Sequence, residues 1–282
     1  MRIGLFLDEN QEIDSLSDFL LGFGSEVVGY SSKRPHNRLS GKYLFQPYPM
    51  ELLAGCDVAI VYSTGLFIND IPREAIRRGI HLYLADLPSY GRAILSDLLC
   101  LMQEIDVSVE FGYSGFSLIE LLPNQAALNG QVFLECRREM LSGTAKNQFQ
   151  RVLAFDLATL LRCNAGLIKK IRVVSIPPTS QDFRLINVRL EYANGSVFCY
   201  TLNCLGENES FDLNFFGNSS SDKYHLSWQG VTFSNQICSH TINPLAFVKT
   251  ITSRDKPKFS IDKALELDKL IQEILDRLAM NM

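Results

Sequence analysis

The 282 residues are 46% hydrophobic and 21% charged, with a formal net charge of -4. That length accommodates two domains with sizeable cores, and the slight acidity gives no global basic field for nucleic acid or an anionic membrane. No apolar run approaches the roughly 20 residues of a membrane span, and the first apolar run is short and ends in DENQEID, unlike a signal peptide.

The first part of the chain alternates strand and helix. Ile3–Leu7 reads as a strand, Ile13–Leu21 as a helix and Glu26–Tyr30 as a second strand. Met50–Ala54 is a short helix before the strand Asp57–Tyr62. Ile71–Arg78 is a helix that Gly79 can close as a C-terminal cap. His81–Leu84, the helix Gly91–Glu104 and the strand Val107–Phe111 complete the series. Continuous apolar strands separated by helices predict a parallel sheet covered on both faces.

The pattern then changes. Phe149–Leu161 reads as a long helix, and Ile168–Ile176 opens a run of longer, alternating strands. Phe183–Tyr192 and Ser196–Asn203 flank Asn194-Gly195, a pair that favours the two-residue hairpin turn matching strand twist. Phe211–Gly217 and Val231–Phe233 continue the antiparallel reading, with Gly217–Asp222 as a polar loop between them. Ile261–Leu278 is an amphipathic helix with Leu267, Leu270, Ile271, Ile274 and Leu278 on one stripe. The expected fold class is α/β. A Rossmann-like parallel-sheet domain spans 1–115, and an α+β domain with an open, mostly antiparallel sheet spans 116–260. The closing helix, 261–282, is expected to pack back on the first domain.

The cysteines, Cys56, Cys100, Cys136, Cys163, Cys199, Cys204 and Cys238, are odd in number and scattered, mostly in apolar segments. This suits reduced thiols and a cytoplasmic location. Cys199 and Cys204 form a C-x4-C with no second pair and no nearby histidine, so the four ligands of a zinc site are not indicated and no metal is expected.

The segment Glu51–Pro88, ELLAGCDVAIVYSTGLFINDIPREAIRRGIHLYLADLP, resembles the Gfo/Idh/MocA (glucose–fructose oxidoreductase / inositol dehydrogenase) family, as does FDLATLLRCNAG, Phe155–Gly166. The resemblance implies a dinucleotide domain, a C-terminal open-sheet domain, NAD(P)-dependent oxidation of a sugar or cyclic polyol, and pairing through the C-terminal sheet. Residue by residue, the chemistry is depleted. The family's G-x-G-x-x-G falls near Leu7, Glu9 and Glu12, where no glycine stands. Those glycines permit the tight turn and the approach of backbone to the pyrophosphate. Glu9 and Glu12 instead put carboxylates at a helix N-terminus, where they complement the helix dipole themselves.

The second strand ends in Ser31, Ser32, Lys33 and Arg34 where an NAD enzyme has an acid on the ribose hydroxyls. Serine with Lys and Arg suits a 2′-phosphate, so any dinucleotide bound here should be NADP(H) rather than NAD(H); a solvated loop explains the same residues. The family's Thr-Pro becomes Ser63-Thr64, and its neighbouring histidine becomes Ile68. Its Glu-Lys-Pro becomes Ala85-Asp86-Leu87-Pro88, with Asp86 or Leu87 in place of the lysine. The catalytic H-x-x-D falls on Leu153–Asp156, keeping Asp156 but losing the histidine. Alcohol oxidation needs a group to take the hydroxyl proton, and leucine cannot. His81 reads as a core-edge histidine, and no nucleophile-elbow or phosphate-loop motif is present.

Two functions follow. In one, the chain has lost oxidoreductase chemistry, binds no dinucleotide, and serves as a small-ligand-binding or assembly module that self-associates through its C-terminal sheet. In the other, it is an active NAD(P)-dependent oxidoreductase with non-standard site residues, of which Ser31, Ser32, Lys33, Arg34, Ser63, Thr64 and Asp86 would meet the cofactor and Asp156 the substrate.

Overall fold

The computed structural model describes residues 1–7, 27–36, 39–62, 70–85, 91–112, 131–141, 152–153, 156–157, 166–176, 185–206, 209–217, 221–229, 232–233, 244–257 and 259–280. The chain divides into two compact units, Met1–Gly115 with Thr241–Asp268, and Phe116–His240 with Lys269–Met282.

The first unit is built on five parallel strands: β1 (Ile3–Phe6), β2 (Val27–Ser31), β3 (Val58–Val61), β4 (His81–Leu84) and β5 (Val109–Phe111). Their order is β2-β1-β3-β4-β5. Beyond β2 the chain returns at Phe45, which forms a parallel bridge to Tyr30. Tyr30 N–H donates to the Leu44 carbonyl and Gln46 N–H to the Tyr30 carbonyl, both at 2.9 Å. Counting that edge segment, the order is the one of doubly wound dinucleotide folds, and it reverses at β1. Burial explains the continuous apolar runs: all four residues of β1 and of β3 are inside. Gly4 in β1 has a spatial reason, since a Cβ there would stand 2.3 Å from Cys56 Sγ.

Among the described residues this part of the chain carries the helices α1 (Pro49–Ala54), with proline in its first turn, α2 (Asp70–Arg77) and α3 (Arg92–Glu104). Gly79, at φ +72°, does end α2. Its N–H donates to Ile76 and that of Ile80 to Ala75, both at 2.9 Å, the paired bonds of a Schellman cap. A fourth helix, α4 (Pro244–Ser253), was not expected. It brings Phe247 and Val248 into the cluster of Ile3, Leu5, Tyr30 and Tyr83, and Phe111 N–H donates to the Phe259 carbonyl at 3.1 Å. Residues 241–260 therefore group with the first unit, where the sequence reading had placed them in the second.

The second unit carries a seven-stranded sheet ordered β12-β11-β10-β6-β9-β8-β7. The strands are β6 (Phe133–Leu141), β7 (Ile168–Ile176), β8 (Leu185–Tyr192), β9 (Val197–Gly206), β10 (Glu209–Phe216), β11 (Ser221–Gln229) and β12 (Thr232–Phe233). Only β6 and β9 pair in parallel; the other neighbours are antiparallel. The fold class is thus a parallel-sheet α/β unit with a mostly antiparallel second sheet.

Two local expectations are corrected. The polar segment 217–222 is not all loop, because β11 begins at Ser221 and pairs with Phe216. The turn between β8 and β9 is not a two-residue Asn-Gly turn. Gly195 N–H donates to the Tyr192 carbonyl at 3.1 Å, and Gly195 alone takes a left-handed φ, +85°. This is a three-residue turn with a glycine bulge. Asn194 uses its side chain instead, accepting Ser196 N–H on Oδ1 at 3.0 Å.

The helix α5 (Ile261–Met280) buries Ile261, Ala264, Leu267, Leu270, Ile274 and Leu278. Near its end Arg277 donates to the Ile171 carbonyl of β7 at 2.8 Å.

Candidate functional site

In the first unit, the order reversal at β1 places the C-terminal ends of β1, β2 and β3 where open α/β sheets bind their ligands. Leu7 N–H donates to the Ser31 carbonyl at 2.9 Å, and Tyr62 N–H to the Phe6 carbonyl at 2.8 Å, so these ends are tied together. Ser31 is fully buried, and its hydroxyl has no hydrogen-bond partner among the described residues. Ser32 is also buried, and its hydroxyl is spent on the Arg34 carbonyl at 2.5 Å. That bond closes a local turn which leaves Lys33 and Arg34 exposed. The solvated-loop reading is therefore wrong for both serines, and His36 just beyond them is buried as well. Tyr30 fixes the loop: its hydroxyl accepts His36 N–H at 3.2 Å and lies 3.0 Å from Ser40 Oγ. Burial pushes the Tyr62 hydroxyl up, away from ionisation. Ser63, Thr64, Ile68 and Asp86 lie outside the described residues, as do Glu9 and Glu12.

In the second unit, Leu153 and Asp156 lie in helical backbone, three residues apart and so on one face. Neither faces solvent: Leu153 is 0% and Asp156 1% exposed. Arg138, on the inward side of β6, grips the carboxylate with two bonds, Nη2 to Oδ1 at 2.6 Å and Nε to Oδ2 at 3.0 Å. Tyr200, on the inward side of β9, donates its hydroxyl to Oδ2 at 2.7 Å. The parallel pairing of β6 with β9 brings these two residues together, with Tyr200 opposite Cys136. Burial works against the Arg138 charge, but Asp156 outweighs it and holds the guanidinium firmly protonated. Burial, then the Asp156 charge, raises the Tyr200 hydroxyl well above its ordinary range. The cluster is a buried ion pair with a tyrosine donor.

Sequence reasoning missed Arg138 and Tyr200. A signal existed in Cys136, Arg138 and Met140, which alternate inward along FLECRREML; an inward arginine demands a buried acid. His81 accepts Ser108 N–H on Nδ1 at 3.0 Å, and burial lowers its pKa, so it is a neutral structural acceptor. Among the described residues no three His, Cys, Asp or Glu side chains cluster to hold a metal.

No family model and no curated protein matches the sequence. Solved structures do match in fold. A dehydrogenase (MviM) from Clostridium difficile has a TM-score of 0.80 at 12% identity, over 98% of this chain and 99% of that one. The UDP-N-acetylglucosamine 3-dehydrogenase GnnA from Acidithiobacillus ferrooxidans has a TM-score of 0.78 at 12% identity, over 97% and 96%. The myo-inositol 2-dehydrogenase from Lactobacillus plantarum has 0.74 at 7% identity, over 100% and 98%. Likeness over nearly the whole of both chains covers both units, and the fold of this chain is that of the Gfo/Idh/MocA dehydrogenases.

Proposed function

We propose that this chain keeps a dehydrogenase fold without hydride-transfer chemistry and works as a small-ligand-binding or assembly module. The sealing of Asp156 carries this reading. A group that takes a proton from a substrate hydroxyl must reach it and have a lone pair to offer. Asp156 is 1% exposed, with Arg138 bound through both oxygens and Tyr200 on one of them. Leu153, at the position the resemblance gives to histidine, cannot accept a proton. The sequence argues the same way, with Leu7, Glu9 and Glu12 at the glycine positions and Asp86 or Leu87 at the lysine. We expect no bound dinucleotide and self-association through the C-terminal sheet. A cytoplasmic location is supported by the odd, scattered cysteines, of which Cys56, Cys100, Cys136, Cys199 and Cys204 form no disulfide with one another.

A second reading, an NAD(P)-dependent oxidoreductase on a sugar or cyclic polyol, is favoured by one observation. The Ser32 turn leaves Lys33 and Arg34 exposed at the end of β2, a segment that contains no acid. Such a turn suits a 2′-phosphate, which makes NADP(H) the cofactor this reading requires.

Thermal shift with NAD, NADH, NADP and NADPH separates the two. A ligand at 100 times its Kd stabilises the native state by about 2.7 kcal/mol, worth several degrees in a chain of this length. The expected result is no shift with any of the four at millimolar concentration. A clear shift with NADPH overturns the non-catalytic reading.

A further inference from the structure

The pair Asn194-Gly195 shapes the turn between β8 and β9, and the proposed function makes no use of it. Ala193, Asn194 and Gly195 are all exposed. Glycine is required at 195 twice over: its φ of +85° strains any other residue, and a Cβ there would stand 2.6 Å from Gln131 Nε2. Asn194 turns its side chain forward along the chain, Oδ1 accepting Ser196 N–H at 3.0 Å in an Asx turn. The ring closed by that bond contains both the side-chain Cγ and the Gly195 nitrogen.

The turn is also a junction. Tyr192 N–H donates to the Ser196 carbonyl at 2.9 Å, and Ala193 N–H to the carbonyl of Leu167, just before β7, at 2.8 Å. Val132, just before β6, donates its N–H to Ser196 Oγ at 3.0 Å and accepts Val197 N–H on its carbonyl at 2.9 Å. Ser196 is 1% exposed, so these ties lie inside although the tip of the turn does not. Residues 192–197 thus fasten the beginnings of β6, β7 and β9 at one point.

We propose that Asn194 is a site of spontaneous covalent modification, and that the junction loosens when it reacts. Asparagine is among the thermolabile residues. The Gly195 nitrogen loses its proton to base in the solvent and attacks Asn194 Cγ. The Cγ–Nδ2 bond breaks, ammonia leaves with a proton, and a five-membered succinimide closes. Water then opens the ring: addition at the main-chain carbonyl gives isoaspartate, and addition at the former side-chain carbonyl gives aspartate. In sum one water is consumed and one ammonia released, with no oxidant or reductant. Ser196 N–H already points at the oxygen that gains charge during the attack, the placement that stabilises an oxyanion. The restraint is the 3.1 Å bond from Gly195 N–H to the Tyr192 carbonyl, which must open before the proton leaves; it lies in an exposed turn, where local opening costs least. The two products act differently here. Aspartate keeps the length of the main chain and still offers an oxygen to Ser196 N–H. Isoaspartate routes the main chain through Cβ and Cγ, so the turn gains a carbon atom and no longer joins β8 to β9 in register. The ties to Leu167 and Val132 loosen with it.

The test is incubation of the folded full chain at neutral and mildly alkaline pH, followed by peptide mass mapping. The chain is expected to gain the mass of O in place of NH at Asn194, faster at the higher pH, with isoaspartate as the larger product by fragmentation and isoaspartyl methyl-ester labelling. The sequence holds another such pair, Asn129-Gly130, which falls in a separate tryptic peptide. Asn194→Gln, which would have to close a six-membered ring, is expected to show no gain at that position. The isoaspartate-bearing fraction, separated by its added negative charge, is expected to melt several degrees below fresh protein, whereas Asn194→Asp melts with it. A folded chain that stays unmodified at Asn194 overturns the proposal. Aspartate as the sole product overturns the succinimide route, and an isoaspartate fraction that melts like fresh protein overturns the role of the junction. None of these readouts depends on whether a dinucleotide binds.

Discussion

Replacing Asp156 by asparagine keeps the shape of the side chain and removes its charge. If Asp156 were a solvent-facing catalytic acid, folding would hardly notice. In this structure the change leaves the Arg138 guanidinium, whose side chain is 6% exposed, without a counter-charge in the interior. Breaking a buried ion pair from one side costs about 3–5 kcal/mol. At about 2–4 °C per kcal/mol for a chain of this length, the melting temperature should fall on the order of 10 °C. Removing both charges should behave differently, because a buried pair replaced by apolar residues of similar volume often costs little. Arg138→Met/Asp156→Leu is therefore expected to regain most of what Asp156→Asn loses. The assay is thermal and urea denaturation of the wild type, Asp156→Asn and the double variant. An Asp156→Asn protein that melts within a degree or two of the wild type refutes the reasoning and frees the carboxylate for another role.

Three smaller perturbations test other features. Gly4→Ala places a methyl group against Cys56 Sγ, which a Cβ would meet at 2.3 Å; it should cost about 1–3 kcal/mol by overpacking, and Cys56→Ala in the same chain should relieve most of the loss. Arg254 caps α4 at φ 57°, donating to the Ile251 carbonyl at 3.1 Å while Asp255 N–H reaches Thr250 at 2.9 Å. Since glycine takes this conformation without strain, Arg254→Gly should raise the melting temperature by a degree or two, and Arg254→Ala should not. The His81 pKa lies below its ordinary 6.5 because burial disfavours the cation. Its contribution to stability is therefore complete above that ordinary value and is lost as pH falls through the folded-state pKa. Melting temperature should decline as the pH drops below about 6.5, and His81→Asn should flatten that part of the profile.

The strands of the first unit were legible because they are buried on both faces, and IGLF, VAIV and HLYL are apolar throughout. The edge of that sheet was not, since it is joined by a single bridge at Phe45 and no periodicity marks one residue. In the second unit β6 was missed because Glu135, Arg137 and Glu139 point outward beside an inward Arg138, so FLECRREML reads as a charged run. The helix α4 was hidden by Val248, Thr250, Ile251 and Thr252, β-branched residues that disfavour helix on propensity alone; Phe247, 0% exposed in the core, overrides them. At the candidate site the sequence identified Asp156 but neither of its partners. Arg138 is 18 residues before it and Tyr200 44 residues after it, and the parallel pairing of β6 with β9 is what sets those two partners side by side.

That geometry bears on what a retained acid means. A buried aspartate held by a buried arginine cannot drift freely, because losing either partner alone strands a charge in the interior. Asp156 and Arg138 are tied to each other whether or not any substrate approaches. The survival of one acid from an H-x-x-D pattern is then no argument for chemistry. The same helix face that would offer a proton acceptor instead fastens the helix to the sheet, through a bidentate pair and one tyrosine hydroxyl. The informative residue is Leu153, one turn earlier and fully buried. Leucine at that position gives no hydrogen bond to the ion pair, whose carboxylate takes bonds from Arg138 and Tyr200. A histidine placed at 153, a position 0% exposed, would have its ring desolvated, its pKa lowered and its nitrogens in need of partners. Packing of the helix face and proton transfer from it are competing uses of one surface, and in this chain both Leu153 and the saturated Asp156 stand on the side of packing.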